Sequence, residues 1–288
     1  MYADFKYHSP GSAEELFGLL TSGLEAPLIY AGGTDLLVWL RAKKVLGKNV
    51  VDIKRLPELN GIEQTGDGIS IGAATSFYDI LSSETVAKYA PALRDAAAHV
   101  GSVQIRYKAT LGGNIQTASP AGDGLVSAMG LGGEVGLLSP TGERRLPLEE
   151  FVLGPQKTAL GPDEIIARIY IPKREWSFQC FFKVGRRNAL AISVVNGVVA
   201  LDVSESGKIQ RARITLGAVA PMPVRIHAAE KMLTGSQLSS LDLEQVMQAV
   251  RGNIQPISDV RASAEYRSYI AGIMVKREIL AIREECKA

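Results

Sequence analysis

Metal-ligating side chains are scarce in this sequence. The two cysteines, Cys180 and Cys286, stand far apart, and the three histidines, His8, His99 and His227, form no close pair. An iron–sulfur cluster takes about four cysteines, and a structural zinc about four Cys or His ligands at close spacing. A metal centre carried by this chain is therefore not expected. Charge of one sign is missing too: 32 Lys and Arg balance 30 Asp and Glu, a net charge of +2. No basic face for nucleic acid or an anionic membrane follows from that balance. No apolar run approaches the roughly 20 residues that cross a bilayer. The opening Met1-Tyr-Ala-Asp-Phe-Lys has no basic stretch followed by an apolar one, so no signal peptide is read and a cytoplasmic protein is expected. Internal repeats and low-complexity tracts are absent as well. What remains is a chain of 288 residues, 46% hydrophobic and 22% charged, long enough for two or three domains.

Local patterns divide it in three. In residues 1–55, Ser12-Ala-Glu-Glu15 reads as a capping box, and Leu16, Leu19 and Leu20 as the buried stripe of the helix it opens. Pro27-Leu-Ile-Tyr30 is a short strand, Leu36–Lys44 a helix, and Val50–Ile53 a second strand. In residues 56–173, Ile69–Ala74 alternates as a strand, Thr75-Ser76 caps a helix from Phe77, and Pro91–Val100 is a helix stopped by Gly101. Ser139-Pro-Thr-Gly142 turns a hairpin, Gly132-Gly133 marks a plain turn, and Glu164–Ile171 is a strand ended by Pro172. A polar link over residues 172–177 leads into residues 174–288. There, strands over 194–203 and 210–219 flank the turn Glu205–Lys208, and three helices follow near 226–234, 241–251 and 259–284. The last helix places Tyr266, Tyr269, Ile270, Ile273, Met274 and Leu280 on one stripe.

Two glycine pairs stand out, Ala31-Gly-Gly-Thr-Asp35 and Thr110-Leu-Gly-Gly-Asn114, each flanked by hydroxyl or amide side chains. Glycine accepts positive φ without a Cβ penalty, so successive N–H groups can turn inward as an anion nest. Two nests suit a ligand with two linked phosphates, such as a dinucleotide. The helix after the first pair also points its positive end at that turn.

The context of these pairs resembles the FAD-binding subunit of the molybdenum hydroxylase (xanthine dehydrogenase) family. The resemblance is carried by Ala31–Asp35, Gln104-Ile-Arg-Tyr-Lys-Ala-Thr-Leu-Gly-Gly-Asn114, Thr117-Ala-Ser-Pro-Ala-Gly-Asp123, Lys183-Val-Gly-Arg-Arg187 and Ser258–Arg267, and it runs from about Tyr7 to about Ile282. It implies an α+β chain: a two-subdomain FAD-binding fold of the PCMH type, then an α+β C-terminal domain of antiparallel strands and helices. It also implies a cofactor site. Leu28, Ile29, Tyr30 and Ala31 lead into it, and Gly32, Gly33, Gly112 and Gly113 let the backbone approach the diphosphate. Thr34 and Thr110 offer hydroxyl donors, while Asn114 and Thr117 hold the ribityl chain or ring edge. Asp123 accepts from ribityl or ribose hydroxyls or forms an Asx turn, and Asp35 either touches the cofactor or caps the helix at Leu36. Ile165 and Ile166 line the adenine or ring pocket, one of them being core by spacing, and Lys183 lies beside the isoalloxazine. Arg186 and Arg187 read equally well as a solvated turn.

No histidine adjoins either pair, so the FAD is expected to be noncovalent. The family implies a three-subunit enzyme. A molybdopterin large subunit oxidises the substrate, a [2Fe–2S] small subunit relays single electrons, and this chain's FAD delivers pairs to NAD or another acceptor. Where xanthine dehydrogenase has an acidic residue after the basic turn, this chain has Ala189-Leu-Ala-Ile192, so the FAD motifs are matched more fully than those for NAD. The alternative from another class is a free-standing flavin reductase of similar FAD fold.

Overall fold

The computed structural model describes residues 5–44, 48–174 and 176–286. Glu175 of the expected link and Met1–Asp4 of the expected leaderless start lie outside these residues. A parallel sheet of three strands opens the chain, with β1 (Lys6–His8) and β2 (Pro27–Tyr30) pairing on either side of β3 (Asn49–Asp52). Parallel neighbours need crossovers, supplied by α1 (Ala13–Thr21) and α2 (Leu36–Arg41). Ser12 Oγ accepts the Glu15 N–H of α1 at 3.2 Å, while the Glu15 carboxylate reaches back to the Gly11 N–H at 2.6 Å. The buried face of α1 is Leu16 and Phe17 rather than Leu16, Leu19 and Leu20, because the ring of Phe17 reaches a core that Leu20 only flanks.

The second sheet is antiparallel, in the order β4-β5-β10-β6-β7. Its first strands, β4 (Ile62–Gln64) and β5 (Gly68–Gly72), precede a helical excursion. Helices α3 (Phe77–Ser82), α4 (Glu84–Tyr89), α5 (Pro91–His99) and α6 (Val103–Arg106) follow one another, three of them capped by Ser76, Ser83 and Ser102. Next come α7 (Leu111–Thr117) and α8 (Asp123–Gly130), and the turn at Gly132, with φ +78°, starts the hairpin of β6 (Glu134–Ser139) and β7 (Gly142–Pro147). The short α9 (Leu148–Phe151), β8 (Val152–Gly154) and β9 (Lys157–Thr158) lead to β10 (Ile165–Pro172), which inserts between β5 and β6.

The third sheet holds β11 (Phe178–Val184), β12 (Val195–Val203), β13 (Ile209–Gly217) and β14 (Val224–Arg225) in that order. Side chains alternate across it. Val195, Val199, Leu201, Ile214 and Leu216 pack under α10 (His227–Leu233), α11 (Leu243–Gly252) and α12 (Ala264–Glu285). Val198 and Ala200 point the other way, into the core of the second unit formed with α5 and α8. The buried face of α12 is Arg267, Ala271, Val275, Ile279 and Ile282, whereas Tyr266 and Tyr269 are exposed. Small residues set that rotation: a Cβ on Gly272 would lie 2.6 Å from Met247 Cγ, so α12 can press onto α11 only along this edge.

Candidate cofactor site

The first glycine pair and the second meet across a cleft of about 640 Å³ between the parallel sheet and the second unit. That size lies within the range of small-molecule sites. The loops are pressed together backbone to backbone, since a Cβ on Gly32 would fall 2.1 Å from the Lys108 carbonyl oxygen. Gly33 adopts φ +70°, which a side chain would strain, and a Cβ there would fall 2.3 Å from the Tyr30 ring. The Gly33 and Asp35 carbonyls accept the N–H groups of Leu37 and Trp39, so the ladder of α2 begins here. Among the described residues the N–H groups of Gly33, Thr34 and Asp35 reach no protein acceptor. They are the unsatisfied donors of a helix start, and all three residues line the cleft. Asp35 does not cap α2 through its side chain; its Oδ2 lies 2.8 Å from the Thr117 hydroxyl and so ties the two loops together.

The second pair works differently from a nest. Gly112 and Gly113 lie inside α7, neither with positive φ. Their donors are already taken: Gly112 N–H goes to the Ala73 carbonyl at 2.9 Å, and Gly113 N–H to Oγ1 of Thr110, the N-cap, at 3.1 Å. The pair supplies room rather than donors. A Cβ on Gly112 would strike Ala73 Cβ at 2.5 Å, while one on Gly113 would meet only Thr110 Oγ1, at 2.9 Å, and otherwise face the cleft.

All the residues expected at the site line the cleft except Tyr30, Asp123 and Lys183. Leu28, Ile29, Ala31, Thr34, Asn114 and Thr117 are on its walls, and so are Ile165 and Ile166 together. Both isoleucines are also buried, each in a different core cluster, because consecutive residues of β10 point to opposite faces where the strand leaves the cleft. Tyr30 is the floor beneath Gly33. Asp123 opens α8 behind the wall, and its carboxylate is engaged on every side. It accepts from Lys183 Nζ at 2.5 Å, Ser193 Oγ at 2.9 Å and Asn196 Nδ2 at 2.7 Å. The pair with Lys183 is a buried one between the second unit and the third sheet, with the Asp123 and Lys183 side chains 8% and 9% exposed. Lys183 also donates to the His99 carbonyl at 3.1 Å, one residue from Val100 in the cleft wall. Arg186 and Arg187 donate to the Val260 and Leu190 carbonyls, bracing two neighbouring loops.

The sequence reading missed Trp39, Phe77, Gln116, Gln156, Leu160 and Glu164, which also line the cleft. Trp39 lies one helical turn beyond Asp35, a spacing that could have flagged it. Glu164 had no such signal. Arg144, donating through Nε at 2.6 Å and Nη2 at 2.8 Å, is the main cause that holds its carboxyl below the usual range; the Gly161 N–H adds to this.

Residues 3–174 match the family described as FAD binding domain in molybdopterin dehydrogenase, and residues 180–282 match CO dehydrogenase flavoprotein C-terminal domain. The chain belongs to this family. It is 34% identical to the nicotinate dehydrogenase FAD-subunit of Eubacterium barkeri, over 92% of this chain and 91% of that one. It is 31% identical to the carbon monoxide dehydrogenase medium chain of Hydrogenophaga pseudoflava, over 98% of both. Among solved structures, carbon monoxide dehydrogenase from H. pseudoflava superposes with TM-score 0.91 at 30% identity over 96% of each chain, and quinoline 2-oxidoreductase from Pseudomonas putida 86 with 0.94 at 26% over the full length of both.

This FAD-binding oxidoreductase subunit has a cleft whose chemistry fits the cofactor. Free N–H donors at Gly33, Thr34 and Asp35 suit a diphosphate, and apolar walls at Ile165, Ile166, Phe77 and Trp39 suit flat rings. Among the described residues no helix is long and apolar enough to cross a membrane.

Proposed function

We propose that the chain holds FAD noncovalently in this cleft, as the electron-collecting subunit of a three-part molybdenum hydroxylase. The observation that carries the reading is the first loop, whose N–H groups are free beside an apolar, aromatic-walled cleft. Gly33, Thr34 and Asp35 bind the diphosphate through the backbone, and Gly113 keeps the facing wall clear. Asn114, whose Oδ1 accepts the Leu125 N–H at 2.9 Å, turns its amide N–H₂ to the cofactor. The Asp35–Thr117 contact holds both loops at a fixed separation. Leu28, Ile29 and Ala31 on one side, with Ile165 and Ile166 on the other, exclude water from the rings. Lys183 and Asp123 sit one residue behind the wall and set the field there without touching FAD.

When bound, FAD converts single electrons into pairs. The electrons come from a [2Fe–2S] small subunit, which receives them from a molybdopterin large subunit, and leave to NAD or another acceptor. A free-standing reductase would need an acid aimed at its own substrate, but both carboxylates lining the cleft, Asp35 and Glu164, are engaged by Thr117 and Arg144. The test is purification from a host expressing the neighbouring reading frames. A yellow complex containing iron and molybdenum, whose colour passes into the supernatant on acid precipitation, is expected. A solitary protein that stays colourless after incubation with FAD would overturn the reading.

A further inference from the structure

Helix α7 runs along one wall of the cleft, and its two ends keep different company. At its start Thr110 bridges to Ser76, and the Phe77 N–H goes to the Ala109 carbonyl at 3.0 Å, so Phe77 and Ala109 wall this end together with Ile105. At its far end the Thr117 hydroxyl holds Asp35 at 2.8 Å, and the Ala118 carbonyl takes the Gln156 N–H at 3.3 Å. Trp39 lies one turn along α2 from Asp35, and both line the cleft. The chain leaving the Gln156 turn adds Leu160 and Glu164 to the lining. The first loop follows α7, from Gly32 against Ala109 to Asp35 against Thr117. The free N–H groups of Gly33, Thr34 and Asp35 therefore lie between the two ends.

A dinucleotide centred on those donors places one ring system at each end, and the ends differ in charge. Glu164 is ionised, because the Arg144 guanidinium holds its carboxyl below the usual range. A reduced, anionic flavin ring is repelled by a carboxylate. Adenosine is neutral whatever the redox state of the flavin, and its ribose hydroxyls donate to carboxylates. Glu164 has room for such a donor: its oxygens offer about four acceptor positions, and Arg144 and Gly161 fill three of them. Trp39 is half-buried, and among the described residues its indole stacks on no other ring. We propose that the Trp39 end is an adenosine subsite, where the indole stacks on adenine and Glu164 accepts the ribose hydroxyls, so that the chain selects FAD over FMN. The assignment rests on the FAD reading above, and it leaves the Phe77 end to the isoalloxazine.

The probes are ADP and FMN, added to the full chain freed of flavin. The chain has two tryptophans, and the other, Trp176, packs against the core of the second unit and does not line the cleft. ADP should quench the fluorescence of the parent, and the quench should vanish in Trp39→Phe while calorimetry still detects ADP binding. Trp39→Ala should bind ADP and FAD about tenfold more weakly, the size of one stacked base, with FMN affinity unchanged within about twofold. Unchanged FMN binding also reports that this variant is folded; if it does not fold, the quench measurement decides alone. The parent should prefer ADP about tenfold over its dideoxy analogue, which lacks both ribose hydroxyls, and Glu164→Gln should lose that preference. ADP that fails to quench the parent, or FMN weakened as much as ADP in Trp39→Ala, overturns the subsite. A parent that binds ADP at Trp39 but takes up no FAD strikes the cofactor reading alone, while FAD uptake undiminished in Trp39→Ala strikes the subsite alone.

Discussion

Gly112 and Gly113 are adjacent, lie in the same helix, and tolerate opposite things. A Cβ at Gly112 runs into the backbone and Cβ of Ala73, where β5 gives way to the next helix. A Cβ at Gly113 enters the cleft and meets only one hydroxyl. Gly113→Val is therefore expected to melt near the parent temperature while losing FAD. Gly112→Val should lose about 3 kcal/mol or more through overpacking against backbone. Circular-dichroism melts and flavin content of both variants distinguish the two, and equal loss of fold would show that Gly113 is structural. The glycine pair itself was legible in the sequence, though as a turn rather than as part of the helix α7 that holds it. What each contributes was not, since Ala73 and Thr110 decide it. The same limit applies to Asp123 and Lys183. Each stood out through the motifs that carry the family resemblance, but their pairing across sixty positions leaves no local trace. On the proposed cofactor placement, the pair is a nearly neutral neighbour of the ring. Lys183→Met should lower the flavin midpoint potential and Asp123→Asn raise it, each by roughly 20 mV for about 1 kcal/mol of residual interaction. The double variant should return close to the parent. Redox titration against reference dyes reads the three values; no movement in either single variant would put the pair out of electrical reach of the ring.

Among the elements, caps and periodic helices were the most legible. Ser12, Ser76 and the Pro91 start all appear where local chemistry requires them. Strand β11 was not anticipated, because Phe178–Val184 is two-sided and buries residues against both α5 and the C-terminal helices. The face of α12 was misassigned for a related reason: a buried arginine sits where an apolar residue would be looked for. Arg267, 3% exposed, donates to the Val194 carbonyl at 2.7 Å and to Asp259 at 2.7 Å, fastening α12 to the third sheet. Burial pushes the Asp259 carboxyl up, but the Arg261 N–H and the Arg267 and Arg261 guanidinia outweigh it and hold it far below the usual range. A carboxyl depressed in the folded state contributes stability that is fully present above its unfolded pKa of about 4 and is lost as pH falls towards the folded value. Between pH 5 and 3, then, the parent should lose melting temperature more steeply than Asp259→Asn, which starts lower but has no such carboxyl to protonate. Parallel slopes for the two proteins would mean that this contact does not govern acid stability.

At the scale of the whole chain, three α/β groupings could be read in order from sequence, but not how they share interiors. The third sheet is not a separate body set beside the cofactor units. Its inner face supplies Val198 and Ala200 to the central core, Asn196 and Lys183 to Asp123, and Arg213 to the Met129 carbonyl. Gly130 has no side chain because Val198 occupies the place, 2.7 Å from where a Cβ would be. A fragment ending at residue 173, at the boundary that composition suggests, would leave α5 and α8 with an apolar face in water and the Asp123 carboxylate without its cation. Exposed apolar surface of that kind favours association over folding. The fragment should accordingly bind a hydrophobic dye, elute as aggregate or expanded monomer, and lack a cooperative melt, even with FAD in excess. Adding residues 174–288 as a second polypeptide should restore a sharp transition and flavin binding, since the missing half of the core is then supplied in trans. A fragment that melts cooperatively alone and binds FAD at parent affinity would mean that the first two units form a self-sufficient domain, with the third sheet only docked upon it.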